Sequence, residues 1–400
     1  MTVLVADAFS DAGLDALRSA GHAVVYDPKL SGSELTRALA EHDPQVLVVR
    51  STKVTAADLD AARGLELIVR AGAGVDTIDV EGASRRGIFV ANCPGKNAAA
   101  VAELAFGLIL ALDRRLPDNV IEARAGRWNK GGFSKARGLK GRTLGLIGMG
   151  HIGKEVAQRA RAFGMPVIAW SRSLTDEVAA EAGVRRAATP EEVAREADVV
   201  SVHVASSAGT RGLLNEAFFA AMKPGAFLIN TARDAVVDEA ALLRAIEEKG
   251  IRVATDVPSN EPAGKEGPFE HPLAQHPGVY VTHHIGASTD QATEAIGDEA
   301  VRIVRLYAET GHAPNVVNLA ERSPATHLLT VRHLDRVGVL AGVLDLAREA
   351  GWNVQEMENV IFAGAEAACA RIRFDGRPDP ETLERIRAVP HVLNATILAL

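Results

Sequence analysis

The sequence predicts an α/β protein with two doubly wound parallel-sheet units and a small βαββαβ unit at its end. Three observations carry this. Short apolar runs alternate with helical segments through the first 285 residues. The sixth of these runs opens directly onto Gly-x-Gly-x-x-Gly. The last ~75 residues then switch to a strand–helix–strand–strand–helix–strand order.

In the first unit the candidate strands are VLVAD (Val3–Asp7), AVVY (Ala23–Tyr26), QVLVVR (Gln45–Arg50), ELIVRA (Glu66–Ala71) and IFVAN (Ile88–Asn92). In the second they are TLGLIG (Thr143–Gly148), PVIAW (Pro166–Trp170), DVVSVHV (Asp198–Val204), AFLIN (Ala226–Asn230), RVATD (Arg252–Asp256) and VYVTH (Val279–His283). Near-continuous Val/Ile/Leu runs split by helices predict parallel sheets covered on both faces. LAFGLILAL (Leu104–Leu112) is too short to span a bilayer and predicts a buried or interface helix. A helix is expected over about Glu294–Thr310, and GHAPNVVNLAERSPAT (Gly311–Thr326) reads as a linker. HLLTVRH, VGVLAGVLDLAREAG, NVQEMENVIF, AACARIRF, PETLERIRAV and HVLNATIL supply the six elements of the third unit.

At 400 residues there is room for two or three domains, each with its own core. Hydrophobic residues at 47% and charged residues at 24% fit a globular protein, not a disordered one. The formal net charge of -7 argues against a nucleic-acid or anionic-membrane partner. Two distant cysteines, Cys93 and Cys369, give neither a disulfide framework nor metal-ligand spacing, so no metal is expected. Met1 leads into TVLVADA with no basic segment or long apolar core, which predicts no secretory leader and a cytoplasmic location.

In the stretch TLGLIGMGHIGKEV (Thr143–Val156), Gly148 permits a tight turn, Gly150 lets backbone approach a pyrophosphate, and Gly153 lets helix and strand pack closely. Amides after His151 then face the phosphates. Flanked by strand and helix, the loop predicts a Rossmann-like dinucleotide site. About twenty residues on, a carboxylate usually holds the ribose 2′-OH. Here the second strand ends in Ser171-Arg172-Ser173. An arginine with flanking hydroxyls suits a 2′-phosphate, so the cofactor is expected to be NAD or NADP.

Ligands of open parallel sheets sit beyond the carboxyl ends of the strands. Those ends carry Arg50, the AGAG run Ala71–Gly74, His203, Arg233, Asp256 and His284. Such a set suits reversible oxidation of a 2-hydroxy acid. A guanidinium grips the carboxylate, and an imidazole removes the hydroxyl proton while hydride leaves. A nearby carboxylate holds the imidazole in place and stabilises its charged form.

VRSTKVT (Val49–Thr55), RAGAGVDTIDV (Arg70–Val80), NCPGKNAAAVAEL (Asn92–Leu104), LGLIGMGHIGKEV, NTARDAVVDEAALLRAI, Asp256–Pro262, HHIGAST (His283–Thr289) and NVVN (Asn315–Asn318) together resemble the D-isomer-specific 2-hydroxyacid dehydrogenases, in particular the phosphoglycerate-oxidising members that carry an ACT-type domain. The resemblance implies a split substrate domain (1–95 with 285–318), a dinucleotide domain (96–284) and an ACT-like regulatory domain (325–400). It implies carboxylate binding by Arg233, acid/base chemistry at His284, and Glu261 as the partner of that histidine. Gly148, Gly150, His151, Ile152, Gly153, Ser171, Arg172, His203, Thr231, Ala232, Gly286 and Ala287 would meet the cofactor, and Asp256 its nicotinamide carboxamide side. Arg50, Ser51, Gly74 and Asn97 would line the substrate side. The helix around Ala98–Leu112 would lie in a dimer interface, giving a homodimer or homotetramer.

The implied reaction is oxidation of 3-phosphoglycerate in serine synthesis. A glyoxylate or hydroxypyruvate reductase is the same-class alternative, and a dinucleotide-sensing corepressor is the alternative from another class. Asp234 stands where the family usually has Gly, His283 where it has Pro, and Pro258 where it has an aromatic. In the third unit, His333-Leu334-Asp335-Arg336-Val337-Gly338 replaces the His-x-Asn-x-Pro-Gly with which ACT domains bind an amino-acid effector. A serine-type effector and a purely packed or dimerising domain therefore both stay open.

Overall fold

A computed structural model describes residues 1–262 and 267–400. The chain separates into two compact units, Met1–Asn318 and Leu319–Leu400.

The first sheet uses β1 (Thr2–Val5), β2 (Ala23–Tyr26), β3 (Val46–Val49), β4 (Leu67–Arg70) and β5 (Phe89–Asn92). They pair in parallel in the order β2-β1-β3-β4-β5. The second uses β6 (Leu144–Ile147), β7 (Val167–Trp170), β8 (Arg185–Arg186), β9 (Val199–Val202), β10 (Phe227–Asn230), β11 (Arg252–Thr255) and β12 (Val279–Val281), ordered β12-β11-β10-β9-β6-β7-β8. All of its pairings are parallel. The sheet reverses direction between β6 and β9, the crevice where a doubly wound sheet receives its ligand. β3, β6, β9 and β10 are buried at every residue, which explains their unbroken apolar runs. Each sheet has a core on both faces.

Two helices tie the sheets into one unit. The helix Ala98–Arg114 leaves the first sheet and packs across the second through Ala102, Ala105, Ile109 and Leu112. The helix Asp290–Thr310 returns and packs Ile296, Ala300, Ile303 and Val304 on the first sheet. Thr289 caps its start by accepting from the Ala292 amide, and Gly311 ends it at φ +72°.

The segment after Gly311 is less of a linker than expected. Its first part is stitched to β5: Ala91 bridges Val316, and the Asn318 side chain accepts from the Val90 amide and donates to the Ile88 carbonyl. The short strand β8 was not expected. It is an exposed pair of arginines on the sheet edge, where Arg185 pairs with Glu192 and Glu196, and nothing apolar marks it.

In the second unit, β13 (His327–Leu334), β14 (Asn353–Ile361), β15 (Ala367–Asp375) and β16 (Val392–Ala399) form an antiparallel sheet ordered β14-β15-β13-β16. The helices Val339–Glu349 and Pro380–Arg387 complete the βαββαβ order. They cover one face through Val343, Ala347 and Ile386, which pack with Trp352 and the β15 residue Phe374. β15 accordingly alternates between buried and exposed, the period of a half-solvated sheet.

Candidate active site

The glycine loop follows β6. Gly148 sits at φ +107°, and a Cβ there would fall 2.4 Å from the His203 carbonyl oxygen. A Cβ on Gly153 would fall 2.3 Å from the Gly148 carbonyl oxygen. Both positions thus need glycine so that loop, helix and β9 can close up. Gly150 differs, because a Cβ there would meet nothing within 4 Å. It caps the helix His151–Ala162 without a side-chain bond, so the amides of the first turn face open space. His151 is exposed beside the Gly95 turn, where a Cβ on Gly95 would lie 2.9 Å from its ring, and Ile152 is half-buried.

His203, just past β9, is buried, and its Nε2 lies 2.8 Å from the Ser201 hydroxyl. Burial pushes its pKa down to about 3, so the ring is neutral at physiological pH. Its Nδ1 and the Thr231 hydroxyl at the end of β10 are both buried without a partner among the described residues. Buried polar atoms are rarely left unpaired, so these two are natural contacts for a polar ligand. Ala232 is buried beside Thr231. Ser171 is half-buried and Arg172 exposed, with its Nη1 4.0 Å from where a Gly209 Cβ would stand. Among the described residues Arg172 makes no ion pair.

Arg233, Asp256 and His284 follow the carboxyl ends of the consecutive strands β10, β11 and β12. Arg233 follows β10 and reaches to the first sheet: its Nε donates to Asp76 Oδ2 at 2.9 Å and its Nη1 to the Ala232 carbonyl at 2.7 Å. Its Nη2 lies against Gly74, where a Cβ would fall 2.2 Å away. Arg70, the last residue of β4, is largely buried with an unpartnered Nε. Desolvation, then the like charges of Arg233 and Arg50, lower its pKa. A Cβ on Gly72 would fall on the Arg70 Nη1 and one on Gly74 beside the Arg233 Nη2, so these two guanidinium groups line one glycine run, with Arg50 near enough for its charge to act. Arg50 is half-buried, and the amides of Arg50, Ser51 and Thr52 all donate to Asp7 Oδ2. Asn97 caps the helix after β5 with its Oδ1 buried and unpartnered.

His284 lies past β12 at φ +52°, an uncommon conformation for a residue other than glycine. Its Nδ1 is 3.0 and 2.9 Å from the two Glu261 carboxylate oxygens. A carboxylate can only accept there, so Nδ1 carries the hydrogen and Nε2 keeps its lone pair. Both side chains are exposed. Asp256 is 1% exposed and is spent on the loop that carries the histidine. Its Oδ1 accepts from the Thr282 hydroxyl (2.6 Å) and the Ile285 amide (2.9 Å), and its Oδ2 from the Gly286 amide (2.8 Å). The carboxylate expected on the nicotinamide side thus fastens the His284 loop. Gly286 is buried and Ala287 half-buried at the end of that loop.

Two members of this arrangement were not singled out from the sequence, Arg70 and Asp76. Arg70 carries the same signal as Arg50, a charged residue closing an apolar strand. The glycines after it drew the attention instead. Asp234 takes no part in Arg233's pairing, which goes to Asp76. No cluster of three potential metal ligands occurs among the described residues.

Residues 106–286 match the family described as D-isomer specific 2-hydroxyacid dehydrogenase, NAD binding domain. The chain therefore carries the NAD-binding domain of the D-isomer-specific 2-hydroxyacid dehydrogenase family. Among its relatives, D-3-phosphoglycerate dehydrogenase of Rattus norvegicus is 38% identical over 307 residues, which are 76% of this chain and 56% of the relative. The chain thus spans little more than half the length of that relative. Among solved structures, the TT0316 protein of Thermus thermophilus is 35% identical with a TM-score of 0.69, over 79% of this chain and 100% of that one. The NADPH-dependent glyoxylate/hydroxypyruvate reductase of Sinorhizobium meliloti, solved with NADP and malonate, is 29% identical with a TM-score of 0.67, over 79% of this chain and 96% of that one.

The residues present fit a dinucleotide. The open space at Gly150, the free first-turn amides and the unpartnered His203 and Thr231 atoms are what a pyrophosphate and its riboses require.

Proposed function

We propose that this chain is an NAD(P)-dependent D-2-hydroxyacid dehydrogenase that oxidises 3-phosphoglycerate to 3-phosphohydroxypyruvate. The observation that carries this reading is the His284–Glu261 pair, fastened by Asp256 two strand ends from an arginine cluster. Residues 1–95 with 285–318 serve as the substrate domain and 96–284 as the dinucleotide domain. The two helices that cross between the sheets support that division.

A bound nicotinamide would supply the hydride acceptor for the substrate carbon. Gly148, Gly150, His151, Ile152 and Gly153 would hold the pyrophosphate; Ser171 and Arg172 would hold the adenosine ribose; His203, Thr231, Ala232, Asp256, Gly286 and Ala287 would complete the cleft. Arg233 binds the substrate carboxylate, helped by Gly74, with its guanidinium held in orientation by Asp76. Arg50, Ser51, Arg70 and Asn97 receive the phosphate end, where two guanidinium groups offset a dianion. His284 removes the hydroxyl proton through Nε2, and Glu261 stabilises the imidazolium that results. In the reverse direction the same nitrogen returns the proton.

A second reading, a glyoxylate or hydroxypyruvate reductase, is favoured by Ser171-Arg172-Ser173 and by the Sinorhizobium relative. Steady-state kinetics with phosphohydroxypyruvate, hydroxypyruvate and glyoxylate, each with NADH and NADPH, separates the two. The first reading expects phosphohydroxypyruvate to lead in kcat/KM, with its lead shrinking in Arg50→Ala and Arg70→Ala. Equal kcat/KM for the phosphorylated and plain keto acids supports the second. From the family resemblance we further assign the protein to the cytoplasm as a homo-oligomer; no helix among the described residues is long and apolar enough to cross a membrane. An amino-acid effector, if one binds, belongs to the 325–400 domain.

A further inference from the structure

Glu261 and His284 pose a problem of precision. Both are exposed, so packing does not fix them, yet the proton must leave along one line. Asp256 anchors the histidine end. The glutamate end has its own anchor two residues away. Ser259 donates its hydroxyl hydrogen to Glu239 Oε2 at 2.7 Å and lies 2.7 Å from His271 Nε2. The other ring nitrogen, His271 Nδ1, accepts from the Leu273 amide at 3.2 Å. Nδ1 as acceptor leaves the hydrogen on Nε2, so the chain of donors runs from His271 to Ser259 to Glu239. That order excludes a serine nucleophile, because the histidine gives a hydrogen to Ser259 and cannot remove its proton.

Every partner in this chain is held from behind. His271 is buried, stacks on Phe269 at 5.7 Å, and caps the helix Pro272–Gln275. Glu239 opens the helix Glu239–Lys249, which packs Leu242 and Ile246 into the core under β10 and β11. Pro258, preceding Ser259, is buried as well. Between Ser259 and Glu261 stands Asn260 at φ +57°, a turn that sets the direction in which Glu261 leaves the anchored backbone.

We propose that Ser259, His271 and Glu239 form a positioning latch that aims the Glu261 carboxylate at His284 Nδ1. This inference rests on the assignment of Glu261 and His284 above. The latch touches neither substrate nor cofactor. Loss of it lets Glu261 wander and the imidazole turn with it, and a misplacement of about 1 Å is enough to cost up to about 100-fold in rate.

The test compares Ser259→Ala, Ser259→Thr and Glu239→Ala with Glu261→Gln, singly and combined, in the full chain. Ser259→Ala and Glu239→Ala should each lower kcat about 10- to 100-fold, with KM for the keto acid and the Kd for NADH within about twofold. Ser259→Thr, which keeps the hydroxyl, should restore most of the rate. In the Glu261→Gln background, Ser259→Ala should have no further effect, because the latch acts through that carboxylate. Multiplicative losses, or Ser259→Ala retaining full kcat, would overturn the latch. Ring 15N spectra of His284 give a reading that needs no turnover: Ser259→Ala should move the Nδ1 resonance toward its place in Glu261→Gln, and an unmoved resonance overturns the proposal. Wild-type protein that turns over no 2-keto acid would instead overturn the assigned function, and the spectra would still judge the latch.

Discussion

Replacing Glu299 by Gln should weaken the fold by about 2–3 kcal/mol at neutral pH, and the loss should fade in acid. Glu299 lies on the helix that returns to the first sheet and is 6% exposed. It accepts from Arg302 at 2.5 and 3.0 Å and from the Asn315 side chain at 2.8 Å, and pairs with Lys96 at 3.3 Å. One carboxylate therefore ties together the crossover before the long helix, the returning helix and the tail stitched to β5. The bonds from Arg302, then that from Asn315, outweigh burial and pull its pKa from 4.5 to about 2. That depression corresponds to about 3 kcal/mol. Solvent around Arg302 and Lys96, each about 40% exposed, trims it toward about 2. Because the folded pKa is the lower one, the contribution is complete above the unfolded value and is lost as pH falls toward about 2. By pH ~3.5 roughly three fifths of it should remain. Urea unfolding of wild type and Glu299→Gln at pH about 7, 4.5 and 3.5 measures the difference. A cost below about 0.5 kcal/mol at neutral pH, or the same cost at every pH, would refute the reasoning.

His203 adds to the same loss of stability in acid, but through burial of an imidazole that must stay neutral. Its folded pKa of about 3 lies below the unfolded 6.5, so it costs nothing above 6.5 and destabilises progressively below it; His203→Gln should narrow the stability gap between pH ~7 and ~5 by about 2 kcal/mol in urea unfolding. Arg142 and Asp113 are a buried pair, 5% and 3% exposed, with the guanidinium 4.3 Å over the Phe227 ring. Asp113→Ala strands that charge and should cost about 3–5 kcal/mol in the same assay. Arg172 offers a charge-assisted contact of about 1.5–3 kcal/mol to a 2′-phosphate, so NADPH should serve at least as well as NADH, and Ser171→Asp with Arg172→Ala should swing kcat/KM to NADH. A wild-type preference for NADH of about a hundredfold would contradict that contact.

The elements that fill both faces of the sheets were legible because burial on two sides leaves no room for polar residues in β3, β6, β9 and β10. β8 escaped for the converse reason: it is short, charged and at an edge. The tail to Asn318 looked like a linker because its attachment to β5 is made by backbone and by asparagine side chains, which leave no periodic trace. At the site, residue types at strand ends pointed to Arg233, Asp256 and His284. Which atoms face which is a property of loop conformation. The bond from the Gly286 amide to Asp256, the Arg233–Asp76 pair and the contacts of Ser259 link segments distant in sequence.

The central claim is that His284 moves the proton while a separate glycine-loop cleft holds the dinucleotide. The direct measurement is His284→Ala, assayed for keto-acid reduction and, on the same preparation, for NADH and NADPH binding by fluorescence titration. Turnover should fall by about a thousandfold or more, with both dinucleotide Kd values within about twofold of wild type. Turnover within about tenfold of wild type, or loss of rate accompanied by an equal loss of dinucleotide binding, would contradict it.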